Sequence, residues 1–428
     1  MVLHGDLRPD LTKRRGRTES DHDAGSGIGV LVFHEFTYWL RHMQLGIIPL
    51  ASLQHAMLHD GTSAALPDCT FAATRPREYA ALKLDAPLTL DGDLSKPEWR
   101  DVPWTSEFVD ISTSTAPRLR TRSKLRWDDT FLYVAAELEE PQLWATLTQH
   151  NSVIFQDNDF EVFVDANATT WGYKELELNA LNTTWDLMLS RPYGDGGGEI
   201  SCRVSAPPCF DMQPPLASAV RLEGVLNDPY SPSVGWSVEV ALPIEQLMRY
   251  NADESQRPKP GVFWRINFSR VQWALTVNGS AYVKTPSCQS CPHPGTAAED
   301  NWVWSPQGEI AMHNPETWAI VQFVESGGPL AKYEEWPARA LSRALYKAEH
   351  AYSASGGGGG RPFTDDLSAL DLYAEPPGVL SSCAREAKIE LGANGTTFSA
   401  RIGNVAGPED ILAQVNSTRF TTVTRRSS

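Results

Sequence analysis

The strongest constraint on the fold is strict alternation of apolar and polar residues between positions 156 and 190. In DFEVFVD (159–165) every second residue is apolar, and the residues between them are acidic apart from Phe163. ELELNA (175–180) alternates in the same way. A two-residue period is that of a β-strand, whose side chains point alternately to opposite faces. The pattern indicates antiparallel strands with one face for a core and one carboxylate-rich face.

Two later segments, 236–242 and 264–270, extend this polar face. Apolar and polar residues alternate in both, so the strands would add polar side chains to one sheet if they lie side by side. Carboxylate, amide and guanidinium groups make bidentate hydrogen bonds to vicinal hydroxyls, so the pattern favours a carbohydrate ligand. The alternative is a solvated outer face or a lattice of ion pairs. The residues concerned are Glu161, Glu177, Asn179, Glu239, Arg265 and Asn267.

Strand signals separated by turn residues continue through 69–325, which predicts an antiparallel, jelly-roll-like β-sandwich. Residues 1–68 are predicted to be a disordered leader. Residues 326–428 combine a helical pattern at 336–352, a Gly-rich linker at 355–361 and short strand-like pieces. The fold class is therefore mainly β with a small C-terminal α+β appendage.

The net charge and the cysteines limit which classes of partner and which cellular compartment are expected for this chain. A formal net charge of −16 disfavours nucleic acid and anionic membranes. The apolar stretch within 28–58 contains charged and histidine residues, so no membrane span is expected, whereas 41–65 has features of a signal peptide. Six cysteines fit three disulfides. An extracellular or secretory location is expected, and the oligomeric state stays open.

Six N-x-S/T sequons support the secretory route, because such sites accept glycans only in secreted chains. Asn182 and Asn267 fall inside predicted strands, where modification is not expected. The other four sequons begin at Asn167, Asn278, Asn394 and Asn416.

Two metal sites are conceivable. Asp157, Asp159 and Asp165 bracket one strand and could supply oxygens to a structural calcium ion, although aspartates of this kind also act as caps and turn formers. No other cofactor is expected. Cys288 and Cys291, followed by His293, are half of a zinc site, a local disulfide or free thiols.

Eight short motifs in a fixed order make the chain resemble family 9 and family 9-like carbohydrate-binding modules. They span about 230 residues, and their order is more specific than any one of them. They are LDGDLSKPEW (90–99), LRWDDTFLYVAA (125–136), 157–165, 175–189, GWSVEVALP (235–243), WRINFSR (264–270), NWVWSPQG (301–308) and HNPETW (313–318).

The resemblance implies a sugar clamp made of two tryptophans, a glutamate and an arginine. In this chain the first tryptophan position is Phe155, and the glutamate is retained as Glu161. The arginine position is Glu177, which reverses the charge, and the second tryptophan position falls near Met312, with Trp318 close by. The sugar itself is not implied.

The leading hypothesis is a carbohydrate-binding protein that supports extracellular carbohydrate catabolism. We expect Glu161, Glu177, Asn179 and Arg265 to converge within reach of one sugar ring. The first alternative is a glycoside hydrolase acting through Glu161 and Glu177, since retaining enzymes hold two carboxylates about 5–5.5 Å apart. The second is a scaffold that keeps the fold without the clamp.

Overall fold

A computed structural model of the protein describes residues 66–285, 299–325, 327 and 330–426. The predicted leader, with the signal-like stretch 41–65, therefore lies almost entirely outside the described residues, as does the Cys288–Cys291 segment. The strands are β1 (Glu78–Lys83), β2 (Val109–Asp110), β3 (Thr121–Trp127), β4 (Phe131–Glu139), β5 (Asp159–Asp165), β6 (Tyr173–Asn179), β7 (Thr184–Leu189), β8 (Glu199–Ile200), β9 (Ala217–Glu223), β10 (Gly235–Pro243), β11 (Phe263–Trp273), β12 (Leu275–Asn278), β13 (Ala281–Lys284), β14 (Glu299–Val303), β15 (Ala319–Val324), β16 (Ala384–Leu391), β17 (Phe398–Asn404), β18 (Ile411–Asn416) and β19 (Thr421–Arg425).

The first fifteen strands form a curled β-sandwich with a short separate hairpin, β12–β13. One layer has the order β8-β7-β6-β5-β11-β15 and the other β3-β4-β10-β9. Strand β1 joins them, because its length pairs with β15 and its last two residues pair with β3. Both β1 pairings are parallel, and the remaining pairs are antiparallel. The predicted mainly-β sandwich is confirmed, with one parallel strand at its seam.

The apolar faces predicted from alternation meet in the main core. Phe160, Val162 and Leu176 of one layer pack in the same cluster as Val134 and Val238 of the other. Burying such side chains contributes about 1.5–3 kcal/mol each. The two-residue period therefore placed the correct residues in the core.

The C-terminal part is an α+β unit that packs on the sandwich. Its long helix lies against β17 and β18 of a four-stranded antiparallel sheet, β16-β17-β18-β19. Asp366 caps a following short helix by accepting from two backbone amides. The helices of the described residues are α1 (Pro97–Arg100), α2 (Ile244–Met248), α3 (Trp336–Ala354), α4 (Leu367–Asp371) and α5 (Val379–Cys383).

The described residues contain two disulfides. Cys69–Cys383 ties the segment before β1 to the end of α5, and Cys202–Cys209 closes a short loop after β8. None of the helices in the described part of the chain is long and apolar enough to cross a bilayer.

The sequons separate into accessible and inaccessible positions. Asn267 lies within β11, as the alternation indicated, and it is buried. Asn182 was predicted to lie in a strand, but it is exposed in the turn between β6 and β7. The strand ends at Asn179 because the Asn179 side chain accepts the amides of Leu181 and Thr183 and so forms the turn.

Candidate functional site

The acidic residues predicted to form a site lie at the centre of the β5–β6 pair. Glu161 is directly opposite Glu177, and Asp159 is directly opposite Asn179. On the other side of β5, Ser269 of β11 lies opposite Glu161. Residues opposite each other in a ladder point to the same face, so these side chains form one cluster. Glu161, Glu177 and Asn179 therefore share one face of the sheet, whereas their convergence on a sugar ring stays a prediction.

The face that carries these carboxylates is buried rather than solvated. Glu161 and Glu177 are 3% and 2% exposed. Aromatic and aliphatic side chains share the face, since Trp185 pairs with Glu177 and Phe163 lies two residues from Glu161. A second apolar cluster covers it, formed by Ile154, Phe163, Tyr173, Trp185, Leu187, Leu189 and Trp318. The β5–β6 strands thus lie between two packed layers.

Burial and mutual repulsion control the protonation of the cluster. Burial is the main reason why the pKa of Glu161 rises to about 7. The pKa of Asp159 and of Glu177 is raised well above the ordinary value by burial and then by the Glu161 charge. Ligand oxygens of these three carboxylates lie within 4.8 Å of one another. Such a cluster favours either bound protons or a cation.

The hydrogen bonds of the cluster are incomplete. Glu177 Oε2 accepts from the Phe155 amide at 2.9 Å, and Asp159 Oδ1 accepts from the Val271 amide at 2.9 Å. Asp159 Oδ2, Glu161 Oε2 and the Ser269 hydroxyl are buried without a hydrogen bond of normal geometry. Unpaired buried oxygens are costly, so a ligand that they could coordinate would stabilise the cluster.

The calcium trio predicted from the sequence is not brought together. Asp157 is saturated by Thr146, by the Leu147 amide and by Asn179. Asp165 is at the far end of β5, where it accepts the Thr170 amide. The oxygen donors that do converge are Asp159, Glu161 and Glu177, a set that suits a hard divalent cation such as Ca²⁺.

Phe155 is the predicted ligand residue that reaches the surface. Its ring is half-buried and lies 6.4 Å from the Trp185 ring. Its carbonyl accepts from the Trp273 indole at 2.9 Å, and its amide is held by Glu177. The exposed Gln156 follows it and accepts from Lys284 at 3.3 Å. The Phe155 ring therefore has a fixed position at the surface, and the polar groups of Gln156 and Lys284 lie beside it.

Arg265 lies on the same sheet and the same face as Glu161, but it does not join the cluster. Its partner across the ladder is Asp165, four residues along β5 from Glu161. Its guanidinium donates to the Trp318 carbonyl at 3.1 Å and lies against the rings of Tyr333 and Trp336. The parity argument placed Arg265 on the correct face but could not place it along the strand. The residues from 333 onward cover it.

Three other predicted residues have structural partners. Asn267 exchanges hydrogen bonds with Ser305, and Trp318 is buried with its indole donating to the Met312 carbonyl. Glu239 lies in the other layer, on β10, so it does not line the β5–β6 face.

Glu239 instead organises the first sequence motif. It accepts the amides of Asp91 and Gly92, the Lys96 ammonium and the Trp99 indole. These four hydrogen bonds join the LDGDLSKPEW segment to β10, which carries Glu239.

Sequence reasoning missed Trp185, Trp273 and Lys284. Trp185 could have been found, because it shares the parity of Leu187 and Leu189 on β7 and pairs with Glu177. Trp273, at the end of β11, bonds the Phe155 carbonyl, and Lys284, at the end of β13, bonds Gln156. Alternation within single strands does not reveal these contacts.

Comparison with known proteins gives matches of two kinds. Two solved structures are similar over the whole of their own chains. One is a family 9 carbohydrate-binding module from Caldicellulosiruptor kristjanssonii in complex with cellotriose, with 16% identity, a TM-score of 0.36 and 60% of this chain covered. The other is a putative carbohydrate-binding protein from Bacteroides uniformis, with 13% identity, a TM-score of 0.39 and 58% covered. No curated protein matches the chain. Residues 90–191, from before α1 to the end of β7, match the family described as carbohydrate family 9 binding domain-like, which confirms the resemblance seen in the motifs.

Proposed function

We propose that this chain binds carbohydrate through the surface around Phe155. The observation that carries the proposal is that the family match over 90–191 includes Phe155, Glu161, Glu177 and Asn179. These four residues come from two neighbouring strands and the turn before them. Three of them are buried, so direct contact with a sugar falls to Phe155 and the residues at its rim.

The chemistry of this rim suits a sugar ring. The apolar face of a pyranose stacks on an aromatic ring, and Phe155 is held in place by the Trp185 ring behind it. Gln156 and Lys284 supply an amide and an ammonium beside the ring for hydroxyl groups. Arg265, Asn267 and Trp318 are engaged elsewhere and act on the fold.

The carboxylate cluster would position Phe155 rather than touch the sugar. Glu177 accepts a hydrogen bond from the Phe155 amide, so a change in the protonation or ion binding of the cluster would alter the position of the Phe155 ring. A calcium ion held by Asp159, Glu161 and Glu177 would offset two of the three buried negative charges. Its Ca–O distances of about 2.3–2.6 Å accommodate ligand oxygens up to about 4.6–5.2 Å apart, twice those lengths.

We also propose that the protein acts outside the cell, in support of carbohydrate catabolism. Disulfides persist in oxidising compartments, and the part of the chain that the structure describes has two of them as well as exposed sequons such as Asn278 and Asn394. These features support passage through a secretory route.

A panel of glucose, cello-oligosaccharides, other oligosaccharides and insoluble polysaccharides tests the proposal. The full chain should bind at least one class, measured by pull-down for the insoluble members and by calorimetry for the soluble ones. Binding to no member would contradict carbohydrate recognition and leave a scaffold that keeps the sandwich alone.

A glycoside hydrolase is the second candidate, because Glu161 and Glu177 are paired across the ladder and Glu161 has a pKa of about 7. The burial of both carboxylates beneath a packed apolar layer argues against hydrolysis, because a sugar could not reach them. Release of reducing sugar from the same panel, lost in Glu161→Gln, would favour hydrolysis over binding alone.

A further inference from the structure

A second group of metal-ligating side chains lies on the opposite face of β7 from the carboxylate cluster. His150 comes from the connection between β4 and β5, Asp186 from the middle of β7 and Asp211 from the segment that follows Cys209. His150 Nε2 is 3.7 Å from an oxygen of Asp186 and 3.7 Å from an oxygen of Asp211. These residues belong to no part of the proposed sugar surface.

Hydrogen bonds fix the orientation of all three side chains. His150 Nδ1 is 2.8 Å from the Thr184 carbonyl oxygen, which can only accept, so Nδ1 carries the hydrogen. Asp186 Oδ2 accepts the Met212 amide at 2.5 Å, and Asp211 Oδ1 accepts the Gln213 amide at 2.8 Å. The remaining ligand atoms, one from each residue, are directed towards one point.

The converging atoms lack partners of their own. His150 Nε2 and Asp186 Oδ1 are buried atoms without a hydrogen bond. In neutral His150 the Nε2 lone pair would face two carboxylates, an arrangement that is unfavourable unless a cation lies between them. Asp186 is fully buried on the core side of its strand, where an uncompensated carboxylate is costly.

The fold of the loop that follows Cys209 supports this arrangement. Phe210 and Met212 enter the main core, and Asp211 between them is left facing His150. Gln213 donates to the Thr184 hydroxyl at 2.8 Å, which ties the loop to the strand that carries Asp186. The loop thus delivers one carboxylate to a fixed place.

We propose that His150, Asp186 and Asp211 bind a divalent transition-metal ion such as Zn²⁺. One imidazole nitrogen and two carboxylate oxygens are donors that Zn²⁺ accepts at about 2.0–2.2 Å, and a metal-bound histidine usually donates its other N–H to a carbonyl, as His150 does. Tetrahedral ligands at those lengths lie about 3.4 Å apart, a few tenths of an ångström closer than the 3.7 Å observed. His150 and Asp211 are 34% and 29% exposed, so a further coordination position faces solvent.

The test is zinc stoichiometry and affinity in the full chain, measured by calorimetry and elemental analysis. Because Cys288, Cys291 and His293 are also potential zinc ligands, all variants carry Cys288→Ser and Cys291→Ser. This background should bind one Zn²⁺, and His150→Ala and Asp211→Asn should each lose it or weaken it by more than about 100-fold, since even an outer-shell change costs about 10–100-fold. Glu223→Gln, which removes an exposed carboxylate on β9, should bind as the background does.

Circular dichroism checks that each variant is folded. If His150→Ala fails to fold, the conservative Asp211→Asn decides the question. The proposal is overturned if the background takes up no zinc, or if both variants retain the same stoichiometry and affinity. Neither result bears on binding of sugar at Phe155.

Discussion

Glu161 and Glu177 lie directly opposite each other on neighbouring strands, and neither carboxylate reaches solvent. In the clamp implied by the family resemblance, the second position is an arginine that would neutralise the first. The reversal to Glu177 removes that compensation and adds a second negative charge beside Asp159. The cluster therefore needs protons or a cation, and in our proposal the sugar surface is the rim around Phe155.

Calcium should stabilise the wild-type chain. An ion that binds only the folded state adds about 2.7 kcal/mol at 100 times its dissociation constant. Glu177→Gln should abolish this rise in melting temperature, because it removes one of three ligands. In EDTA the variant should be at least as stable as wild type, since it loses a buried charge among like charges. A calcium-induced rise that persists in Glu177→Gln, measured by scanning fluorimetry, would refute the cation assignment.

Arg265→Ala should destabilise the fold by about 2–3 kcal/mol, because it leaves the buried Trp318 carbonyl without its donor and removes packing against Tyr333 and Trp336. Sugar affinity should be unchanged in the folded fraction. Arg221→Ala is the matched control, since its exposed ion pair with Asp93 contributes less than about 1 kcal/mol. Denaturant unfolding measures the loss of unfolding free energy in each variant. An equal loss in Arg265→Ala and Arg221→Ala would show that the buried contacts of Arg265 do not stabilise the fold.

Both faces of the β5–β6 strands could be assigned from alternation, and their parity was correct for Glu161, Glu177 and Arg265. Their burial could not be assigned, because a period of two does not distinguish solvent from a second packed layer. Phe163 was the one signal in the sequence, as an aromatic residue within the acidic set. The position of Arg265 along the strand, and its cover by the segment around Trp336, depend on contacts between distant parts of the chain.

The pH dependence of stability should change in Glu349→Gln. Glu349 is fully buried in α3, and burial, followed by the Asp365 charge, raises its pKa to about 7, although the Thr364 amide lowers it. The folded state therefore holds a proton that the unfolded state releases near pH 4.5, so this group costs stability as pH rises from about 4.5 to about 7.

Glu349→Gln removes that titration, and at pH 8 it should be more stable than wild type by up to about 3 kcal/mol, with little difference at pH 4.5. Melting temperatures across this range measure the difference. The exposed Glu409→Gln should follow the wild-type profile. A Glu349→Gln profile that stays parallel to wild type would show that the carboxyl is not protonated in the fold.

Glycan occupancy tests the secretory route. Peptide mass spectrometry of chain expressed in a eukaryotic secretory system should find glycans at exposed sequons such as Asn278 and Asn394, and at Asn182, which the turn exposes. Asn267 should be unmodified, because it is buried and paired with Ser305. Modified Asn267 would contradict the packing of β11, and an entirely unmodified chain would count against the secretory route.

Calorimetric titration of the best-binding glycan against Phe155→Ala tests the central claim most directly. Loss of the stacking ring should weaken binding by about 10- to 100-fold, which corresponds to about 1.4–2.8 kcal/mol. Tyr250→Ala, which removes an exposed ring elsewhere on the sandwich, should leave the affinity unchanged. An unchanged dissociation constant in folded Phe155→Ala would contradict the assignment of the sugar surface to this residue.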